Sequence, residues 1–179
     1  MNLKSAILLP LLRFSQDRLI AIAIRFSARL SFHKGLTLAR LPSEEQDEAI
    51  QDIKAAIDLI ESIDPRRFLR VARFVDFVYS TDPRNTWMVY LPHSRIALVN
   101  VARVRRERPE ERDRIGTIAA LIVGCSLDGM LFNKRIFPSK GNGTKIERIR
   151  YAEMRRFLQR VVNEALDPAT QAAASGIVA

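Results

Sequence analysis

Cysteine, histidine, glycine and tryptophan are scarce in this chain of 179 residues, which has one cysteine, two histidines, seven glycines and one tryptophan. A lone Cys125 excludes an intramolecular disulfide framework and fits a reducing, cytoplasmic setting. The two histidines, His33 and His93, leave little for metal binding or for proton transfer near neutral pH. No internal repeat and no nucleic-acid motif of fixed spacing occurs. The N-terminus begins like a signal peptide, with Lys4 and an apolar run from Ala6 to Leu12. Arg13, Asp17 and Arg18 interrupt it before about 20 apolar residues accumulate, and no small-residue cleavage site follows, so neither export nor a spanning helix is expected.

What the chain does have is apolar bulk and arginine. With 47% apolar and 27% charged residues it can bury the core of one ordinary domain. The net charge of +9 is unevenly spread. Residues 1–42 hold seven basic residues against Asp17, whereas residues 43–64 hold eight acids against Lys54. Of the 29 basic residues, 23 are arginine, whose planar fork suits carboxylate and phosphate.

Residues 1–35 read as a basic amphipathic helical segment, kinked or divided at Pro10. Beyond it Arg18, Arg25 and Arg29 fall on one stripe at helical spacing, with Leu19, Ile20, Ala23, Ile24, Phe26 and Leu30 around the rest of the surface. Such a segment either packs on the domain with its arginines in water or lies on an anionic membrane.

Residues 36–166 read as a single mainly helical domain. Ser43 and Gln46 form a capping box, and Ile50, Ile53, Ile57 and Ile60 recur with helical period, predicting an acidic amphipathic helix over about 43–62. Its acids meet either basic neighbours or water. Asp64 as N-cap and Pro65 at the first position start another helix, with Phe68, Val71, Phe74, Val75 and Val78 on its core face and Thr81-Asp82-Pro83 at its end. Trp87–Leu91 and Ile96–Val101 read as a short β-hairpin, with His93 at the surface in its turn. The mixed-sign run 103–114 reads as a solvated loop; its acids oppose phosphate, and no aromatics interleave as a base-stacking platform needs.

From Ile115 onward the pattern is helical, through Ile118, Ala119, Ile122, Ser126 and Met130. Gly124 and Asp128 are four apart and share one face, with Cys125 beside them. Two glycines inside a helix cost about 1 kcal/mol each against alanine, so Gly124 and Gly129 call for close packing or an inherited site. The loop 138–144 is glycine-rich but lacks the phosphate-loop order. A last helix over about 144–166 buries Ile146, Ile149, Met154, Phe157, Leu158 and Val161 and presents arginines outward. The small-residue stretch 167–179 reads as a flexible tail.

In this region the chain resembles small bacterial zincin-like proteins, whose apolar helix reads roughly L-[IV]-V-H-E-x-x-H-G and is followed by a second helix of the form R-I-E-x-[IL]. The matching parts are Ala120-Leu121-Ile122-Val123, Gly129, and Ile146-Glu147-Arg148-Ile149 followed by Glu153 and Phe157, within a likeness covering about residues 65–160. The resemblance implies a mainly α, α+β fold like a minimal zincin-like core, with Glu147 matching a third ligand position. In an HExxH helix two histidines hold zinc and the glutamate takes a proton from the bound water. Here Gly124, Cys125 and Asp128 stand at the His, Glu and His positions, so ligands and general base are gone. Cys125 has no histidine in its half of the chain to activate it and reads as a buried, inert thiol.

The expectation is therefore a protein without catalytic residues, metal or cofactor, with a binding or regulatory role toward another protein. The rivals are a basic protein at an anionic membrane, a nucleic-acid binder recognisable by steep salt dependence, and a metalloenzyme using Asp128, Glu147 and Glu153.

Overall fold

The computed structural model of the protein describes residues 18–19, 22, 29–40, 44–80, 86–136 and 143–166. The expectations placed on Pro10, Arg25, the Ser43 and Gln46 side chains, Thr81–Pro83, residues 138–142 of the loop and the tail 167–179 lie outside them. Among the described residues, strands β1 (Arg29–His33) and β2 (Leu36–Arg40) come first, then helices α1 (Glu44–Ile63) and α2 (Pro65–Phe74). Strands β3 (Phe77–Ser80), β4 (Met88–Leu91) and β5 (Ile96–Val99) follow, and then α3 (Val101–Glu107), α4 (Glu111–Asn133) and α5 (Gly143–Leu166). The fold is mainly α with one small sheet.

That sheet has five strands in the order β1-β2-β3-β5-β4. Its edge pairs are antiparallel, and β3 lies parallel to both β2 and β5. The expected hairpin is present as β4 and β5, but as one edge of a larger sheet. Three further strands correct the sequence reading. Arg29 opens β1, so Arg18, Arg25 and Arg29 do not share one helix. The cause is a two-residue hairpin loop, Lys34-Gly35, in which both residues have positive φ. That geometry matches the twist of the flanking strands, and Gly35 takes it without strain. Likewise α2 stops at Phe74 and Phe77–Ser80 extends as β3, because this aromatic and β-branched run fills the centre of the sheet between β2 and β5.

The start of α2 is as the sequence predicts, with Pro65 in the first turn and the Asp64 side chain accepting from the Arg67 backbone N–H at 3.1 Å. The run after β5 is only partly a loop. Val101–Glu107 is helical, because Val101 and Val104 are both buried and the Asn100 side chain caps the Arg103 N–H at 2.9 Å. The Arg103 guanidinium lies over the Trp87 ring, 4.3 Å from its centroid.

The five helices named above belong to the layer on one face of the sheet. Leu36, Leu38, Val78, Ala97 and Val99 point into it and join Ile53, Ile57, Ile118, Ile122 and Phe157 in one core. Helix α4 runs through the middle. It is long and apolar enough by composition to cross a bilayer, yet most of it is buried against α1, α2, α5 and the strands β4 and β5. An apolar circumference with no polar face is the mark of a central core helix. The acids of α1 meet basic neighbours: Asp52 pairs with Arg114 at 3.0 Å, and Asp58 with His33 at 2.8 Å and Lys34 at 2.7 Å. On α5 the buried side chains are Ile146, Phe157 and Val161, whereas Ile149, expected inside, is exposed.

The glycines of α4 differ in what surrounds them. A Cβ on Gly116 would meet Val161 and Leu158 at 3.6 and 3.7 Å, ordinary contact. One on Gly129 would fall 2.6 Å from the Tyr90 hydroxyl and 2.9 Å from the Phe74 Cβ. Gly116→Ala is therefore expected to stabilise the protein by up to about 1 kcal/mol, and Gly129→Ala to destabilise it by about 1–3 kcal/mol, in urea unfolding.

Candidate functional site

The sequence reading puts a candidate site on the second half of α4, which carries one buried hydroxyl, Ser126, and one half-buried carboxylate, Asp128. They point to opposite sides of the helix. Asp128 faces α5 and β4, where its Oδ2 accepts from Arg150 at 2.8 Å. Its Oδ1 is buried without a hydrogen-bond partner among the described residues. Burial pushes the Asp128 carboxyl above the usual range, outweighing the Arg150 guanidinium that pulls it down. Arg150, held by that charge, lies above its ordinary value although burial opposes it.

Above this pair opens a cavity of about 350 Å³. Its walls are mostly apolar, with Met88, Tyr90, Leu131, Phe132 and Ile146 among them, and Glu147 joins Asp128 and Arg150 in the lining. Tyr90 reaches beneath α4 and donates its hydroxyl to the Phe74 carbonyl, and burial pushes its phenol pKa up. His93, exposed in the β4–β5 turn as the sequence predicts, meets Phe132 edge to face at 5.0 Å between centroids.

Gly124, which the sequence reading set at a histidine position, is not among the residues lining that cavity. A Cβ there would meet Met154 Sδ at 3.0 Å and Met88 Sδ at 3.1 Å. Two flexible thioethers thus occupy the place a larger side chain would need, which accounts for the glycine by close packing. Cys125 is fully buried, and burial, reinforced by the Asp128 charge, pushes its thiol up, so no thiolate is presented to a substrate. Of the four motif positions, Asp128 and Glu147 share the cavity, while Gly124 and Cys125 sit behind it. Among the described residues, no three His, Cys, Asp or Glu side chains form a group able to hold a metal. Asp128 and Glu147 alone would offer two carboxylates, with Arg150 already paired to one oxygen of Asp128.

Glu153, grouped with those carboxylates in the sequence reading, lies elsewhere. It closes a network on the other side of α4, accepting from Arg67 Nε at 3.0 Å and from Arg70 at 2.8 Å. Arg70 also donates to Ser126 Oγ at 3.1 Å, and Ser126 donates to the Val123 carbonyl at 2.7 Å. Asp64 accepts from both Arg67 and Arg160. This cluster ties α2 and α5 to the core helix beside a second, polar cavity of about 470 Å³. Sequence reasoning missed it. The available signal was Ser126 alone in an apolar helix, since a buried hydroxyl requires a partner.

Compared with known proteins, the chain matches no family model, no curated protein and no solved structure.

Burial alone would raise the Asp64 and Glu153 carboxyls, but their arginine partners, with the Arg67 backbone N–H at Asp64, outweigh it and hold both below the usual range. A carboxyl lowered on folding adds stability above its unfolded pKa and loses it as pH falls through the folded one. The contribution of Asp64 and Glu153 to the urea midpoint is expected to stay level from pH 7 to about 5 and to be lost below about pH 4. In Glu153→Gln that acid limb is expected to be shallower.

Proposed function

We propose that this protein is a non-catalytic relative of zincin-like metallopeptidases, in which the former metal-binding face serves as a binding cleft. The observation that carries the reading is the Asp128–Arg150 pair. At the position where a zincin helix carries its second histidine, the carboxylate is taken up by a guanidinium from the next helix, on the floor of an apolar cavity. A cation at Asp128 would sit beside the Arg150 guanidinium already paired with that carboxylate, and the like charge opposes it. The cavity has the size and the mixture of apolar wall and few polar groups that suit a small ligand or one side chain of a partner protein. Its role is recognition, with the Arg150 fork and the Glu147 and Asp128 oxygens giving orientation.

Metal content of untagged protein, read by mass spectrometry beside thermal melts with and without chelator, tests this. The expected result is metal far below one per chain and superimposable melts. Near-stoichiometric zinc that disappears in Asp128→Ala would overturn the proposal in favour of a metalloenzyme.

A second reading, contact with an anionic membrane, is favoured by four large apolar side chains that face solvent near the basic N-terminus. Leu19, Ile22, Leu30 and Phe32 are all exposed, Phe32 to 74%. Apolar side chains among cations are the composition of an interfacial contact. In sedimentation with vesicles rich in anionic lipid, this reading expects Phe32→Ser together with Leu19→Ser to lower the bound fraction several-fold. Equal binding by wild type and variant would remove it.

A further inference from the structure

The sheet is apolar on both faces, and only one of them is accounted for by the helices described above. Its outer face carries Leu30 and Phe32 from β1 and, across the registered pairs, Ala39, Tyr79, Ile96 and Leu91 from the other four strands. Ala39, Tyr79, Ile96 and Leu91 form a separate buried cluster whose members, and whose half-buried neighbours Phe77, Val89 and Leu98, are all strand residues. No described helix belongs to it. A sheet face left open keeps the tips of its side chains in water, as β1 does with Phe32. Ile96 is only 1% exposed and Ala39 not at all. These burials hold for the single chain, so whatever covers the centre of this face comes from the chain itself.

We propose that residues 1–28 dock on this outer face, over β2, β3 and β5, making the sheet the middle layer of three. The other segments outside the described residues are unsuited. Residues 81–85 read Thr-Asp-Pro-Arg-Asn, residues 41–43 are only three, residues 137–142 offer Phe137 alone, and the tail 167–179 offers only Ile177 and Val178 as large apolar side chains. Residues 1–28 hold many, among them Leu8, Leu11, Phe14, Ile20, Ile24 and Phe26. The reach is sufficient. Five strands span about 19 Å, and the stretch after Pro10 would cover about 27 Å as a helix. Arg18, Leu19 and Ile22 are helical and exposed, so the side chains that face water here are not the ones assigned to the sheet. Because the chain runs from this segment directly into β1, docking closes almost no loop.

This assignment is independent of the cleft on the opposite face, and it sets a condition on the membrane reading: the segment can present Leu19 and Ile22 to lipid only while its remaining apolar residues stay on the sheet.

Hydrogen exchange of the full chain tests it. In wild type, amides across residues 11–28 are expected to exchange at least tenfold more slowly than an unstructured peptide of that sequence. In Ala39→Asp, which puts a charge under the segment, that protection is expected to vanish while α4 keeps its own. Ile24→Asp, made in the segment itself, is expected to give the same selective loss and serves if Ala39→Asp fails to fold. Exchange at the unprotected rate in wild type would overturn the proposal. So would protection of residues 11–28 that survives both substitutions, or that appears only when anionic vesicles are added.

Discussion

Everything in this molecule depends on enclosing α4. A helix apolar around its whole circumference has no face to give to water, so the chain must supply a wall for each side. Helix α1 and the inner sheet face take one side, α2 and α5 the others. The glycines of α4 follow from the same demand, since Gly124 admits two methionine sulfurs and Gly129 admits Tyr90 and Phe74 at distances a Cβ would not tolerate. Enclosure also dictates topology. Parallel strands β2 and β3 require a long connection, and that connection is α1 and α2, delivered to the side where α4 needs them.

Polar atoms on such a helix need partners brought from outside it. Ser126 receives Arg70 from α2, and Asp128 receives Arg150 from α5. The same two helices that enclose the helix by apolar packing thus also satisfy its polar side chains, from opposite sides. The two cavities follow from this arrangement, because a guanidinium reaching inward over a helix shoulder cannot pack as closely as a leucine. One became a polar recess crowded with paired arginines, the other an apolar cleft with a single ion pair at its floor.

The elements legible in the sequence were those with strong local signals. The isoleucine ladder of α1, Asp64-Pro65 at the start of α2, and the periodic α4 and α5 sit within a few residues of where pattern and capping rules place them. The pair β4 and β5 declares itself by composition. What escaped was decided by distant partners. Phe77–Ser80 continues a plausible helical face and is a strand only because β2 and β5 stand on either side of it. Leu30 and Phe32 fit a helical stripe equally well, though Lys34-Gly35 was a readable hairpin turn. At the site, Asp128 was singled out by its spacing from Gly124, and Glu147 only through the resemblance. Arg150 was not, because a charge on the outside of a helical pattern gives no hint that it turns inward. Glu153 shows the converse: a carboxylate that seemed to belong with Asp128 serves Arg67 and Arg70 across the helix.

The strand order has a kinetic side. The two edge pairings are local, β1 with β2 through two turn residues and β4 with β5 through residues 92–95. The central pairings are not: β2 reaches β3 only after residues 41–76, and β5 meets β3 only once β4 has been laid outside it. Hairpins of the edge kind close in microseconds, whereas non-local parallel pairings wait on slower chain closure. The sheet should therefore assemble from its margins inward, with the strand at its centre, β3, seated last.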